Sequence, residues 1–156
     1  MTKEKNNFLS VKFIDFKNDD NMPSVYKIRK WARASYFKTE KISVSIKLAT
    51  KKEMMFFSKK YLNKTKPCNA LSFPQLSFES HKPSYLGDIL LCAEVIFQES
   101  RKYNIELDRR WAHMIIHSML HLQGFDHKTK LNREKMEKEE IYLMSKLGYI
   151  NPYYAY

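Results

Sequence analysis

Apolar residues of this chain recur with two spacings, one typical of strands and one typical of helices. Apolar and polar side chains alternate at Leu9–Phe13 and, most clearly, at 42–48, which predicts two strands with one buried face. A short strand is predicted at 70–73, where Pro74 stops it. The segment 88–92 places apolar residues on both faces of a strand, which predicts a strand inside the sheet.

Helical spacing and capping residues predict helices between and after these strands. Thr50 and Glu53 are spaced as a capping box at the start of one helix, and Asp108 is predicted to be the N-cap of a long helix that ends at Gly124. Further helices are predicted at about 23–37, 93–103 and 130–147. In the last of these, the residues expected to face the core are Leu131, Ile141 and Met144.

The order of these elements, βαβαββααα, predicts an α+β fold, a small mixed sheet with helices packed on one face. At 156 residues the chain is expected to form one domain, 1–156, with a core that needs no disulfides. Cys68 and Cys92 lack the spacing of a metal or redox pair, so free thiols in a reducing cytoplasm are expected. No signal peptide or membrane span is expected either, which predicts a cytoplasmic protein without a membrane partner.

The charge of the chain changes the expected partner. A net charge of +11 favours a polyanion, either a nucleic acid or an acidic membrane surface. A lysine-rich composition by itself also produces such a charge, so a nucleic-acid role stays one of two alternatives at this point.

Four of the five histidines lie close together in the segment Trp111–His127. His117 and His121 are spaced i and i+4, which places both imidazoles on one face of a helix. Gly124 is predicted to let the chain turn back, so that His127 approaches as a third nitrogen ligand. Three neutral imidazoles suit Zn²⁺ and leave a fourth position for water, whose pKa the ion lowers to about 7. The spacing predicts one zinc ion per chain, with the metal-bound water as the expected reactant and no catalytic side chain identified.

The other two histidines are not expected to bind this ion. His113 lies one turn before His117, but each four-residue step rotates the helix face by about 40°, so His113 is expected to support the site or to pack in the core. His81 is isolated in a polar segment. A histidine-rich helix face without metal is the alternative for the whole cluster.

The histidine spacing also matches that of the metzincin metalloproteases. Those enzymes place Glu directly after the first His as general base, whereas this chain has Ser118 there. A serine does not take a proton from metal-bound water at neutral pH. A peptidase would therefore need a base from elsewhere and would bind an extended peptide along the strand at 70–72.

Three blocks of the sequence occur in the order and spacing of one known family. The block His117-Ser-Met-Leu-His-Leu-Gln-Gly-Phe-Asp-His127 is similar to H-G-x-L-H-L-x-G-Y-D-H. The other two, Pro67-Cys-Asn-Ala-Leu-Ser-Phe-Pro74 and Leu86-Gly-Asp-Ile89, are similar to P-T-[ND]-V-L-S-F-P and L-G-D-I. Together they resemble the YbeY family of bacterial rRNA maturation factors and endoribonucleases, over about 42–149.

The resemblance implies a function and a set of partners. It implies zinc-dependent cleavage of single-stranded RNA, with roles in 16S rRNA 3′-end maturation and ribosome quality control, and rRNA of the small ribosomal subunit as partner. The chain departs from the family at Leu62, which occupies the position where the family commonly has an Arg that engages RNA. The nearby cations expected to take over this contact are Lys59, Lys60, Lys64 and Lys66. The alternatives are a metzincin-like peptidase and an RNA-binding ribosome-assembly factor whose zinc is not catalytic.

Overall fold

A computed structural model describes residues 8–17, 19–74 and 85–154 of the chain. The elements follow in the predicted order βαβαββααα. The strands are β1 Leu9–Ile14, β2 Ile42–Leu48, β3 Ala70–Pro74 and β4 Tyr85–Leu91. The helices are α1 Val25–Ala34, α2 Lys51–Leu62, α3 Ala93–Lys102, α4 Leu107–Leu122 and α5 Lys130–Lys146. His81 lies outside the described residues, and the expectation of a single domain over 1–156 stays a prediction.

The described strands form one mixed sheet in the order β1-β2-β4-β3. Strand β2 is parallel to both β1 and β4, while β3 is antiparallel to β4 and forms an edge of the sheet. Strand β4 therefore lies inside the sheet, as its apolar residues on both faces predict. These observations confirm the predicted α+β fold with a small mixed sheet.

Helices cover both faces of this sheet, so the expectation that they pack on one face is wrong. Ile89 belongs to the main core with α1 and α4, whereas its neighbour Leu90 belongs to a second, smaller core with Met54 of α2. Successive side chains of a strand point to opposite faces, so α2 lies across the sheet from α4. The start of α2 follows the sequence prediction, because Thr50 and Glu53 form the capping box.

Helix α4 runs through the middle of the main core. Most of its side chains are buried, since it packs against α1, α3, α5 and the edge strand β3. Because α4 is covered on nearly all sides, packing restricts the conformations of its few polar side chains. One open side remains near its C-terminal end, where the side chain of His117 is 30% exposed.

Two details of the last helices differ from the sequence prediction. The N-cap of α4 is Glu106, not Asp108, which lies in the first turn and pairs with Lys27 at 2.6 Å. In α5, Leu131 is 61% exposed and does not face the core. Leu131 and Met136 are five residues apart, about 140° around the helix, so the two cannot share a face.

Gly87 of β4 allows the sheet to approach the end of α4. A Cβ atom at this position would overlap the carbonyl oxygen of Phe73 and lie 2.8 Å from Cδ2 of Leu122. Gly87 also has a φ of +150°, which favours glycine. The glycine thus sets the distance between the edge of the sheet and the helix that carries the histidines.

None of the helices in the described parts of the chain is long and apolar enough to cross a membrane.

Candidate metal centre

The turn after α4 has the hydrogen bonds of a Schellman motif. The backbone N–H of Phe125 donates to the carbonyl of Leu120 at 3.0 Å, and that of Gly124 donates to the carbonyl of His121 at 3.1 Å. Gly124 has a φ of +99°, a conformation that a side chain disfavours. The chain therefore leaves the helix and turns back, as the sequence predicts, and carries His127 toward the helix face.

The three histidines predicted as ligands lie together at the open side of α4. The ring centroids of His117 and His121 are 4.6 Å apart, and that of His127 lies 5.1 Å from His121 and 5.9 Å from His117. One nitrogen of each ring lies within 4.8 Å of one nitrogen of the other two. This geometry allows three imidazoles to approach one ion.

Hydrogen bonds to the far side of two rings determine which nitrogens are free. Nδ1 of His121 lies 3.0 Å from the carbonyl oxygen of Phe125, so it carries the proton and donates. Nδ1 of His117 lies 3.4 Å from Oε2 of Glu140, so this carboxylate faces the ring nitrogen that is turned away from His121. In the tautomer with the proton on Nδ1, each ring presents Nε2 as a lone-pair donor.

The two free nitrogens face each other, which favours a cation beside them. Nε2 of His117 and Nε2 of His121 are 3.0 Å apart. With the proton on Nδ1 in both rings, two lone pairs face each other, an arrangement that a cation bound by both nitrogens stabilises. Two ligands at about 2.0–2.1 Å from one tetrahedral Zn²⁺ are separated by roughly 3.3 Å, close to the observed spacing. The donor set of His117, His121 and His127 therefore fits a zinc ion.

A buried carboxylate stands behind the histidines. The side chain of Glu140 in α5 is 1% exposed, and its Oε2 accepts a hydrogen bond from Nε2 of His113 as well as facing His117. Its Oε1 accepts the hydroxyl of Tyr153 at 2.9 Å. A carboxylate that holds the rear nitrogen of a ligand imidazole orients the ring and raises its basicity. We refer to Glu140, His113 and Tyr153 as the carboxylate network.

The pKa shifts of these groups suit metal binding. Burial, followed by the neighbouring imidazoles, lowers the pKa of His121 to about 4, so the ring is neutral at physiological pH. Burial also lowers the pKa of His113. Burial acts to raise the pKa of Glu140, but hydrogen bonds from His113 and His117 outweigh it and the pKa is lowered. Burial and then Glu140 raise the pKa of Tyr153, which keeps its hydroxyl a donor.

A second group of potential ligands overlaps the first. One ligand atom each from His113, His117 and Glu140 also lies within 4.8 Å of the others. Here, however, His113 and Glu140 are directly hydrogen bonded, and the second carboxylate oxygen is occupied by Tyr153. His117 belongs to both groups and uses Nε2 toward the three-histidine group and Nδ1 toward Glu140. The structure thus contains side chains that could hold a metal, and the lone pairs favour the three-histidine group.

The histidines open into a cavity of about 300 Å³. Its wall combines two of the predicted ligands with side chains of α5 and the C-terminal turn. The lining residues are His117, His127, Arg133, Met136, Glu137, Glu140 and Tyr153. The predicted metal position is therefore accessible from outside the molecule on this side.

The lysines predicted to contact RNA lie elsewhere on the surface. Lys59 and Lys60 are in the last turn of α2, and Lys64 and Lys66 follow in the next segment; all four are exposed. None of them lines the histidine cavity. They are separated from it by the edge strand β3, whose Ser72 hydroxyl donates to the carbonyl of Ser118 at 3.2 Å. The structure does not bring these lysines together with the histidines.

Sequence patterns did not indicate Glu140 and Tyr153. Glu140 lies in a stretch of α5 with several acidic residues and is not among the residues that the sequence predicts to face the core. Its separation from His113 by 27 positions gives no local spacing to recognise. His113 is expected to support the site or to pack in the core; its side chain is buried and hydrogen bonds to Glu140.

Comparisons with known proteins identify the family. A family model described as Endoribonuclease YbeY matches residues 12–148. The chain belongs to the YbeY family. Endoribonuclease YbeY of Buchnera aphidicola subsp. Schizaphis graminum is 39% identical over 153 residues, 97% of each chain. The YbeY protein of Wigglesworthia glossinidia brevipalpis is 37% identical over 134 residues, 85% of this chain and 88% of the relative.

A solved structure supports the fold of this YbeY-family chain. The solution structure of TM1509 from Thermotoga maritima superposes with a TM-score of 0.51 and covers 89% of this chain and 92% of its own. At 18% sequence identity this likeness concerns the fold alone. Family membership confirms the predicted enzyme class, an endoribonuclease, and with it an RNA substrate.

Proposed function

We propose that this YbeY-family endoribonuclease binds one Zn²⁺ through His117, His121 and His127 and cleaves single-stranded rRNA. The observation that carries the proposal is the 3.0 Å approach of Nε2 of His121 to Nε2 of His117, beside a cavity that His117 and His127 line. Three neutral nitrogen donors match the preference of Zn²⁺ over harder ions, which prefer oxygen. When bound, the ion supplies a Lewis acid and lowers the pKa of a coordinated water toward neutrality.

Neighbouring residues orient the histidine rings for this chemistry. The carbonyl of Phe125 and the carboxylate of Glu140 hold the rings of His121 and His117 with Nε2 directed at the ligand position. Tyr153 and His113 in turn fix the carboxylate, so the donor atoms are in place before a ligand arrives. Preorganisation of this kind lowers the cost of reaching the reactive geometry.

Catalytic rather than structural use of the metal is supported by the number of ligands. Among the described residues, the group around His117, His121 and His127 includes no fourth His, Cys, Asp or Glu. Structural zinc sites are closed by four protein ligands, whereas catalytic sites keep one position open. This favours hydrolysis over an assembly factor with a non-catalytic zinc. For a peptidase, Glu140 is poorly placed as the missing general base, because both of its oxygens are already engaged.

The cellular role follows from the family and the charge. We propose that the substrate is rRNA of the small ribosomal subunit, in 16S rRNA 3′-end maturation and ribosome quality control, within the cytoplasm. Family membership supports an endoribonuclease of rRNA maturation, and the net charge of +11 supports a polyanionic substrate. The two free cysteines suit a reducing compartment.

The direct test compares metal content with RNA cleavage. We expect protein purified without chelator to contain about one zinc per chain and to cleave a single-stranded oligoribonucleotide. Chelator should abolish cleavage and added Zn²⁺ should restore it, because no other described group supplies the Lewis acid. A matched casein digestion tests the peptidase. Cleavage that persists after complete removal of metal, or proteolysis without RNA cleavage, would reject the proposal.

The exposed lysines provide a second prediction about RNA. Tyr61 at the end of α2 contacts Phe73 of the edge strand at a ring distance of 5.0 Å, so an RNA strand that ran from the histidines across β3 would meet this region. Changing Lys59, Lys60, Lys64 and Lys66 to Ala should weaken binding and flatten the plot of log affinity against log salt. The slope should fall by up to about 0.7 for each RNA phosphate that a lysine no longer neutralises.

The control for this variant is its metal content, which should equal that of the wild type because none of the four lysines lines the cavity beside the histidines. A salt slope identical to that of the wild type would show that these lysines are only a solvated surface.

A further inference from the structure

An arginine lines the histidine cavity from the first turn of α5. Arg133 shares the cavity wall with His117 and His127, and its backbone N–H donates to the carbonyl of Thr129 at 2.9 Å. Among the described lining residues it is the only Lys or Arg. A positive side chain at this place meets any anion that approaches the metal ligands.

The backbone of Arg133 is held in a fixed relation to His127. The side-chain amide of Asn132 donates to Oδ1 of Asp126 at 3.1 Å, and the backbone N–H of Lys128 donates to the same oxygen at 3.0 Å. These bonds tie the loop on either side of His127 to the first turn of α5. The position of Arg133 relative to the metal ligands therefore does not depend on a flexible connection.

The guanidinium of Arg133 has no partner within the described parts of the chain, either as an ion pair or as a hydrogen bond. Glu137 lies one turn further along α5 at the same cavity, yet among the described ion pairs it forms none with Arg133. Glu140 has both oxygens occupied by Tyr153 and His113. The donors of Arg133 are consequently free to bind an anion from outside.

We infer that Arg133 binds a backbone phosphate of single-stranded RNA beside the three histidines; this inference rests on the proposed function. A guanidinium presents paired N–H donors that match two phosphate oxygens, which an ammonium group does not. The exposed lysines after α2 lie across the sheet and do not reach this cavity. Arg133 thus positions the RNA strand at the cavity that His117 and His127 line, beside the residues that would hold the metal.

The experiment compares three single variants with the wild type by fluorescence anisotropy of a labelled oligoribonucleotide over a range of salt. They are Arg133→Gln, Arg133→Lys and the control Lys138→Gln. Lys138 is exposed on the same helix, about 140° from Arg133, and does not line the cavity. Each Gln variant removes one positive charge. A difference in RNA affinity or salt slope between them therefore reflects the position of the lost charge and not the net charge of the protein.

We expect Arg133→Gln to lose about tenfold in affinity or more and to flatten the salt slope by about 0.7. Arg133→Lys should keep the slope, because the charge remains, but lose part of the affinity with the paired donors. Lys138→Gln should change both quantities much less, and metal content should be equal in all four proteins. Equal salt slopes for Arg133→Gln and Lys138→Gln, or no measurable RNA binding by the wild type, would overturn the inference. Wild-type protein that binds RNA but does not cleave it with zinc bound would instead reject the nuclease proposal, and the slopes would still decide the role of Arg133.

Discussion

The His121→Ala variant is expected to lose its bound metal and to cleave RNA about 10³-fold more slowly than the wild type. His121 is the most constrained of the proposed ligands, since the carbonyl of Phe125 fixes its tautomer and burial keeps the ring neutral. A Lewis acid contributes several kcal/mol to the transition state, and each 1.36 kcal/mol corresponds to about tenfold in rate. Elemental analysis and single-turnover cleavage measure the two effects.

His113→Ala is the matched control, because it removes the same side chain from the same helix. It should retain about one metal per chain, since His113 faces Glu140 and not the proposed ion. Its unfolding temperature should fall, because the substitution leaves a cavity in the core and removes one hydrogen bond from a buried carboxylate. Full metal in His121→Ala, or loss of metal in His113→Ala alone, would show that the ligand set is a different one.

The Glu140→Gln variant is expected to bind zinc about 10-fold to 100-fold more weakly, although Glu140 is not one of the proposed ligands. The substitution keeps the shape of the side chain but removes the negative charge behind His117, and outer partners of metal ligands have effects of this size. Competition against a chelating dye gives the affinity. The metal-free form should unfold below the wild-type temperature, because the hydrogen bonds that lower the pKa of Glu140 favour the folded state with an ionised carboxylate.

The Tyr153→Phe variant tests the orientation of the Glu140 carboxylate without changing its charge. It removes only the hydrogen bond to Oε1 of Glu140 and leaves the carboxylate facing His117, so we expect a smaller loss of zinc affinity. Equal zinc affinities in the wild type and Glu140→Gln would contradict a role of the carboxylate in holding the ligand.

Local patterns predicted the parts of this fold that local interactions determine. The alternation at 42–48 gave β2 with its observed bounds, and the capping box at Thr50 gave the start of α2. The i, i+4 histidines and the glycine after them were enough to predict three converging rings, because a helix and its terminating turn have nearly fixed geometry. The proposed ligand set could be predicted from the sequence for the same reason.

Features that depend on distant packing were missed or wrong. Asp108 is a residue type that commonly caps helices, but its carboxylate accepts a hydrogen bond from Lys27, which is 81 positions away. Leu131 is apolar yet exposed, while Glu140 is charged yet buried, because the core-facing side of α5 is set by its contact with α4. Helices on both faces of the sheet could not be predicted either, since the apolar residues of α2 do not indicate which face they cover.

The hydrogen bonds of Glu140 have a practical consequence for anyone who would copy this centre in a short peptide. A synthetic segment covering Trp111–His127 would contain all three proposed ligands and the glycine turn. It would lack α5 and the turn that carries Tyr153, and its rings would be solvated on every side. Such a peptide could bind metal ions, but nothing would restrict its imidazole rings to one tautomer or to one arrangement around the ion. A useful minimal mimic of the centre must therefore be a two-helix assembly in which α5 brings its buried carboxylate behind the imidazoles.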